Sequence, residues 1–151
     1  PNVDIVIGTE DEINATMLVD ADQMSLTHSQ VSDTKVTGNI DEAIEALLAL
    51  GPKALLQKRG EEGVRIHLRN DDGQLKQIDA LGYPVEICNI LGAGDAFGGG
   101  FLYGHLKGWG WHKSARLGNA CGAIVVTKHG CANSTPTMAE VLEFVEKHGG
   151  F

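Results

Sequence analysis

The sequence predicts an α/β fold, a sandwich with helices on a mainly parallel sheet. Three observations carry that expectation. Short apolar or β-branched runs alternate with longer amphipathic stretches; glycine, proline and Asp-Gly signals mark the junctions between them; and in residues 85–104, VEICNILGAGDAFGGGFLYG, a glycine turn joins a strand-like run to a helix-like one.

Taken in order, residues 3–7 form a β-branched run that ends at Gly8 and leads into Glu10-Asp11-Glu12, Ile13, Met17 and Leu18. This reads as a strand, a turn, and a helix whose acidic first turn suits the macrodipole. Residues 20–39, rich in Ser, Thr, Asp and Gln, read as polar loop with at most a short helix. Residues 41–50, DEAIEALLAL, put Ala43, Ile44, Leu47 and Leu48 on one helical face and stop at Gly51-Pro52. A short strand follows at 54–57. Alternating runs at 64–68 and 74–80 flank Asn70-Asp71-Asp72-Gly73, which signals a β-hairpin. The next strand is Val85 to Ile87 at the head of the glycine turn, and the helix after the turn carries Phe97, Phe101, Leu102 and Leu106. Residues 113–128, with Ala115, Leu117, Ala120, Ala123, Ile124 and Val125, read as a buried helix, and Gly130 ends either that helix or a strand-like tail at 124–127. Thr135-Pro136-Thr137 then opens a last surface helix over 138–148, followed by Gly149-Gly150.

At 151 residues and 42% hydrophobic content, the chain can bury one core, so one domain or a piece of one is expected. A net charge of -8 argues against a nucleic-acid backbone as partner, but it leaves room for a nucleotide met by a local helix terminus and a metal ion. Cys88, Cys121 and Cys131 are odd in number and show no CxxC spacing, which points to reduced thiols in a cytoplasmic protein. No apolar run is long enough to span a membrane, and the basic-then-apolar order of a signal peptide is lacking. The chain opens without Met and almost directly in a strand, so it reads as part of a longer protein.

The glycine turn is the chemical centre. A strand, a Gly-Ala-Gly turn and a helix present bare N–H groups at a positive dipole end, a ready anion site. Asp95 has two readings there: a first-turn partner of the helix, or a carboxylate that takes the proton from a hydroxyl attacking a bound phosphate. The dinucleotide fingerprint fails because Phe97 stands where its third glycine belongs, and the Walker pattern fails because His112 precedes Lys113-Ser114. Gly98-Gly99-Gly100 inside a helix costs roughly 1 kcal/mol per residue against alanine, so a neighbouring backbone or a ligand is expected to come close.

At these residues the sequence resembles the ribokinase/PfkB family of carbohydrate kinases. The family signature D-T-x-G-A-G-D-A-F stands here as Asn89-Ile90-Leu91-Gly92-Ala93-Gly94-Asp95-Ala96-Phe97. An early N-x-x-E corresponds to Thr9-Glu10-Asp11-Glu12, a T-x-G-x-x-G to Lys58-Arg59-Gly60-Glu61-Glu62-Gly63, and an Asn on a late helix to Asn119. The resemblance implies a ribokinase-like three-layer α/β/α sandwich and an ATP- and Mg²⁺-dependent kinase for a sugar or sugar acid. It implies an anion hole from Gly92, Ala93 and Gly94, Asp95 as catalytic base, and Glu12 holding Mg²⁺ through water. Lys58, Gly60, Gly63 and Asn119 would then line the nucleotide. Within the family, the LGAGDAFGGG run, Lys-Arg-Gly and the tail His-Gly-Cys-Ala-Asn are most similar to the kinases of inositol catabolism acting on 5-dehydro-2-deoxygluconate.

The departures have consequences. Thr9 replaces an Asn, and Lys58 replaces a Thr that faces the nucleotide, placing a cation able to meet phosphate. Asn89 and Ile90 replace the Asp-Thr pair associated with a monovalent cation, which puts potassium activation in question. The family's N-terminal half, with its substrate strands and β lid, has no counterpart here, so the chain reads as the C-terminal half of a kinase that is a homodimer when whole and inactive as this piece. No membrane and no nucleic acid are implied as partners. The competing reading is a non-catalytic nucleotide-binding module that keeps the kinase fold. Glu12 has the bland alternative of a dipole partner, and Asn119 that of a satisfied polar core residue. Cys121, His129 and Cys131 match no zinc spacing, and Trp109, Trp111 and Tyr103 read as packing.

Overall fold

The β-branched run near the N-terminus forms β1 (Ile5–Thr9), which continues through Gly8, and Thr9 then caps the six-residue helix α1 (Glu10–Ala15). This computed structural model describes residues 2–18, 20, 22, 24–27, 33–70 and 72–151. Contrary to the loop expected at 20–39, β2 (Met24–Thr27) pairs antiparallel with β3 (Asp33–Val36). β2 alternates apolar and polar residues over only four positions and β3 does not alternate at all, too short a pattern to stand out in a polar stretch; pairing and attachment define them. The Asp11 carboxylate accepts the Val36 N–H at 2.8 Å, and the buried Asn14 side chain donates to the Val36 carbonyl at 3.4 Å.

Helix α2 (Ile40–Ala49) starts at Asn39, whose side chain accepts the N–H groups of Asp41 and Glu42. Its apolar face puts Ala43, Ile44 and Leu48 against Ile13 and Leu55. Each large aliphatic side chain so buried contributes roughly 1.5–3 kcal/mol. Strand β4 (Ala54–Lys58) lies parallel to β1, in a register running from Ile5 opposite Ala54 to Thr9 opposite Lys58. After a single turn of 3-10 helix at Gly60–Glu62 come β5 (Gly63–Arg69) and β6 (Leu75–Leu81), completing a sheet of order β1-β4-β5-β6. The connections β4–β5 and β5–β6 are too short for a parallel crossover, so these pairs run antiparallel and the sheet is mixed. The Asp-Gly hairpin stands where the sequence puts it, with Gly73 at φ +78° and the Gln74 N–H donating to the Asn70 side chain at 2.7 Å; Asp71 lies outside the described residues. Inside the sheet, buried His67 meets buried Gln57 at 3.2 Å.

The chain divides into two compact units. One is Pro1–Arg59 with Arg65–Gln77, and the other is Gly60–Val64 with Ile78–Phe151. The second holds α3 (Ala93–Leu106), α4 (Trp111–Val126) and α5 (Met138–Lys147). Its core gathers Leu117, Cys121, Ile124, Val125, Val141 and Val145 around Tyr83 and Ala96. Helix α5 opens with a capping box in which Thr137 and Glu140 satisfy each other's backbone, and Gly149 and Gly150 after it are both at positive φ. Helices α3 and α4 pack through small residues. A Cβ on Gly118 would lie 2.8 Å from the Phe97 carbonyl, and one on Gly100 would lie 2.7 Å from Cys121 Sγ.

One further expectation is corrected and two are sharpened. No strand forms at 85–87, and the following N–H groups of Cys88 and Asn89 both donate to the Val126 carbonyl at the end of α4. Of the two readings at 124–127 the helix holds: α4 runs to Val126 with Ile124 and Val125 buried in the core, and it stops at Thr127, before Gly130. Of Gly98, Gly99 and Gly100, only Gly100 is approached closely by its surroundings; a Cβ at either of the other two would meet open space. Among the described residues, no helix is long and apolar enough to cross a membrane.

Candidate active site

The Gly-Ala-Gly turn does what its composition predicts. Gly92 sits at φ +85°, in the left-handed region that favours glycine, and ends the approach to α3 without any side-chain cap. A Cβ there would lie 2.9 Å from Cys131 Sγ, so the turn is fitted against the loop at 131 as well. The Ala93 N–H turns back to the Ile90 carbonyl at 3.3 Å. Among the described residues, the N–H groups of Gly94 and Asp95 have no acceptor. A helix start with unused donors is an anion site by dipole and hydrogen bond together.

Asp95 is the third residue of α3 and is exposed. Its carboxylate has no partner among the described residues, so it does not act as the side-chain cap that its position allows. A cavity of about 380 Å³ opens beside it, lined by Gly92, Asp95, Gly99, Tyr103, Cys131 and Thr135 among others. Gly99, whose missing side chain has no packing explanation, thus borders open volume next to the carboxylate.

In the other unit, the parallel register sets Lys58 beside the start of α1. Thr9 Oγ1 accepts the Glu12 N–H at 3.3 Å, and Glu12 Oε2 accepts the Thr9 N–H at 2.6 Å. Lys58 Nζ lies 3.3 Å from the same oxygen. Partial burial pushes the Glu12 carboxyl up, but the Thr9 backbone and the Lys58 charge outweigh it, and the group sits below its ordinary value. It is therefore an anion, on a side chain that is 61% exposed. That fits Mg²⁺, which keeps several of its own waters and needs few protein oxygens. Among the described residues no group of three acidic, His or Cys side chains forms a closed metal cage.

Two of the remaining predicted residues, Gly63 and Asn119, meet the end of β6, and Gly60 does not. Gly63, at φ +95°, leaves no room for a Cβ against the backbone of Ala80, Leu81 and Gly82. Asn119 Nδ2 donates to the carbonyls of Ala80 and Leu81, both at 2.9 Å, so half of its carboxamide is engaged with backbone. Gly60, at φ +60°, is exposed with nothing near it. One residue that the sequence reading missed works here too. Arg116, three positions before Asn119, donates to Leu81 O, to Gly82 O at 3.1 Å and to Gly150 O at 2.8 Å, and stacks 3.8 Å over the Tyr83 ring. Burial raises the Tyr83 hydroxyl pKa, and Arg116 acts in the opposite direction. No sequence signal marks Arg116, because its acceptors are backbone carbonyls distant in the chain. His129 likewise meets Cys88, at 3.1 and 3.2 Å, and not the two cysteines close to it in sequence. Cys121 is buried in the core, which pushes its thiol up to about 11.

The fold and the bare helix start define an α/β protein with open backbone donors at a glycine turn and, among the described residues, an unpaired carboxylate beside them. The chain belongs to the pfkB family of carbohydrate kinases, whose family model matches residues 1–138. It is 27% identical over 145 residues to the 5-dehydro-2-deoxygluconokinase of Geobacillus kaustophilus, covering 96% of this chain and 38% of that relative. Among solved structures, a ribokinase from Thermotoga maritima matches with a TM-score of 0.75 at 25% identity, covering 95% of this chain and 42% of its own. A protein described as a ribokinase II from E. coli, solved in complex with ATP and Mg²⁺, matches with a TM-score of 0.74 at 28% identity, covering 96% and 40%. The α/β sandwich is thus the ribokinase fold, and the chain spans about two fifths of the length of these proteins.

Proposed function

We propose that this chain carries the nucleotide-handling and catalytic residues of an ATP-dependent kinase that phosphorylates a hydroxyl of a sugar or sugar acid. The observation that carries the reading is the start of α3, where free N–H groups and the unpaired Asp95 carboxylate occur on adjacent residues. The Asp95 carboxylate accepts the proton of the attacking hydroxyl as that oxygen bonds to phosphorus and the bond to the ADP oxygen breaks. The turn Gly92-Ala93-Gly94 lets the oxygens of the group in transfer approach the backbone, and the open N–H groups of Gly94 and Asp95 hold their negative charge, since the Ala93 N–H is already bonded to Ile90. Glu12 orients the waters of Mg²⁺, and Mg²⁺ when bound supplies positive charge to the phosphates. Lys58 meets phosphate as a point charge, while Gly60, Gly63 and Asn119 border the nucleotide, with Arg116 fixing the backbone they rest on. The similarity to a 5-dehydro-2-deoxygluconokinase supports that sugar acid as substrate.

The test uses the full-length protein with ATP, Mg²⁺ and 5-dehydro-2-deoxygluconate. Asp95→Asn is expected to lower turnover by about 10²–10⁴-fold while ATP still raises the melting temperature as it does in the wild type. Unchanged turnover removes Asp95 as base. A wild type that binds ATP but phosphorylates no sugar or sugar acid favours the non-catalytic module.

A further inference from the structure

Residues 88–91, which lead into the Gly92 turn, are strapped to the turn that follows α4. The N–H groups of Cys88 and Asn89 both donate to Val126 O, at 2.7 and 3.1 Å. Asn89 Nδ2 donates to Gly130 O at 3.0 Å, and Asn89 Oδ1 accepts the Leu91 N–H at 3.1 Å. Both ends of one neutral carboxamide are thus engaged, one on each of the two segments that flank Gly92.

The family pattern places an Asp-Thr pair and a monovalent cation at this point. The residues present do not fit one. A cation of that kind is held by several oxygens with free lone pairs, commonly carbonyls, with a nearby negative charge to offset its own. Here Val126 O already accepts two donors, which uses both of its lone pairs. Gly130 O faces the Asn89 amide nitrogen, and Asn89 Oδ1 is taken by Leu91. The titratable side chain that meets this segment is His129, against Cys88, and it brings no negative charge.

We infer that the Asn89 carboxamide takes the place of a monovalent cation, joining residues 88–91 to the 126–130 turn by direct hydrogen bonds, so that the Gly92 turn holds its shape without potassium. Asn89 is a positioning residue. It acts through Gly92, whose fit against Cys131 depends on where the same turn places residue 131. The catalytic consequence rests on the kinase reading above, but the structural one does not.

The experiment compares full-length protein in potassium chloride and in choline chloride at equal ionic strength, measuring melting temperature without substrate and turnover with it. For the wild type, both are expected to be the same in the two salts. Asn89→Asp replaces the donor by a carboxylate facing Gly130 O; it should melt lower and turn over about fivefold more slowly in choline chloride, the factor that one lost hydrogen bond carries, with recovery in potassium. A wild-type melting temperature that is several degrees higher in potassium, or a wild-type turnover severalfold higher there, overturns the inference, as does an Asn89→Asp protein identical to wild type in choline chloride. Should the variant fail to fold, the wild-type melting comparison decides by itself, and it is read whether or not the protein proves to be a kinase.

Discussion

Two helix starts in this chain solve the same problem in opposite ways. At α1, side chains satisfy the backbone: Thr9 and Glu12 close a capping box, and Lys58 neutralises the acid. At α3, glycine takes the cap position and, among the described residues, no side chain reaches back and the donors of Gly94 and Asp95 remain open. The capped start has its donors taken, and its acid carries negative charge. The bare start forgoes about 1 kcal/mol of capping and keeps donors of the kind that an anion can use. Absence of side chains at one helix and their presence at another thus sort the two regions by the sign of charge each can receive.

That contrast can be tested from its largest effect downward. Helix α3 packs against a glycine of α4, Gly118, and carries a glycine of its own, Gly98, that faces open space. Gly118→Ala would push a methyl against the carbonyl and ring of Phe97, and it should cost about 1–3 kcal/mol in a denaturant titration. Gly98→Ala, whose methyl meets open space within the helix, should instead stabilise by about 1 kcal/mol. If both changes destabilise alike, the glycines are not divided between packing and open volume. At the other start, Thr9→Ala should cost about 1 kcal/mol through the lost cap, with no change in the open donors of α3. The smallest effect is with pH. The Glu12 carboxyl is lowered in the folded state, so its contribution is complete above its ordinary value of 4.5 and is lost as pH falls through the lowered one. The melting-temperature gap between wild type and Glu12→Gln should therefore be present at neutral pH and close in acid. A gap that widens in acid contradicts the Lys58 and Thr9 contacts.

Much of this architecture was legible in the sequence, for particular reasons. Helices α2 and α5 announce themselves by apolar spacing and by Asn39 and Thr137 at their starts, and the β5–β6 hairpin by Asp72-Gly73. All of these are local signals. Strands β2 and β3 escaped because their pairing is the only thing that makes them strands. The residues at 85–87 look like a strand yet have no strand partner, and Ile124 and Val125 look like one yet are core residues of a helix. At the site, Gly92 to Asp95 could be read directly because adjacent residues build the turn. The Lys58–Glu12 pair could not, because the register of β1 on β4 creates it.

The sequence by itself determined the glycine turn, the position of Asp95 in the first turn of α3, and the order of most helices and strands, since backbone freedom and apolar period are local properties. Only the tertiary structure decided that Asp95 is without a partner among the described residues, that Glu12 is shared between Thr9 and Lys58, and that Arg116 and Asn119 hold the end of β6. It also placed Asn89 across two segments far apart in the chain. These are matters of which donor finds which acceptor, and a donor distant in sequence meets its acceptor only once packing has fixed both backbones.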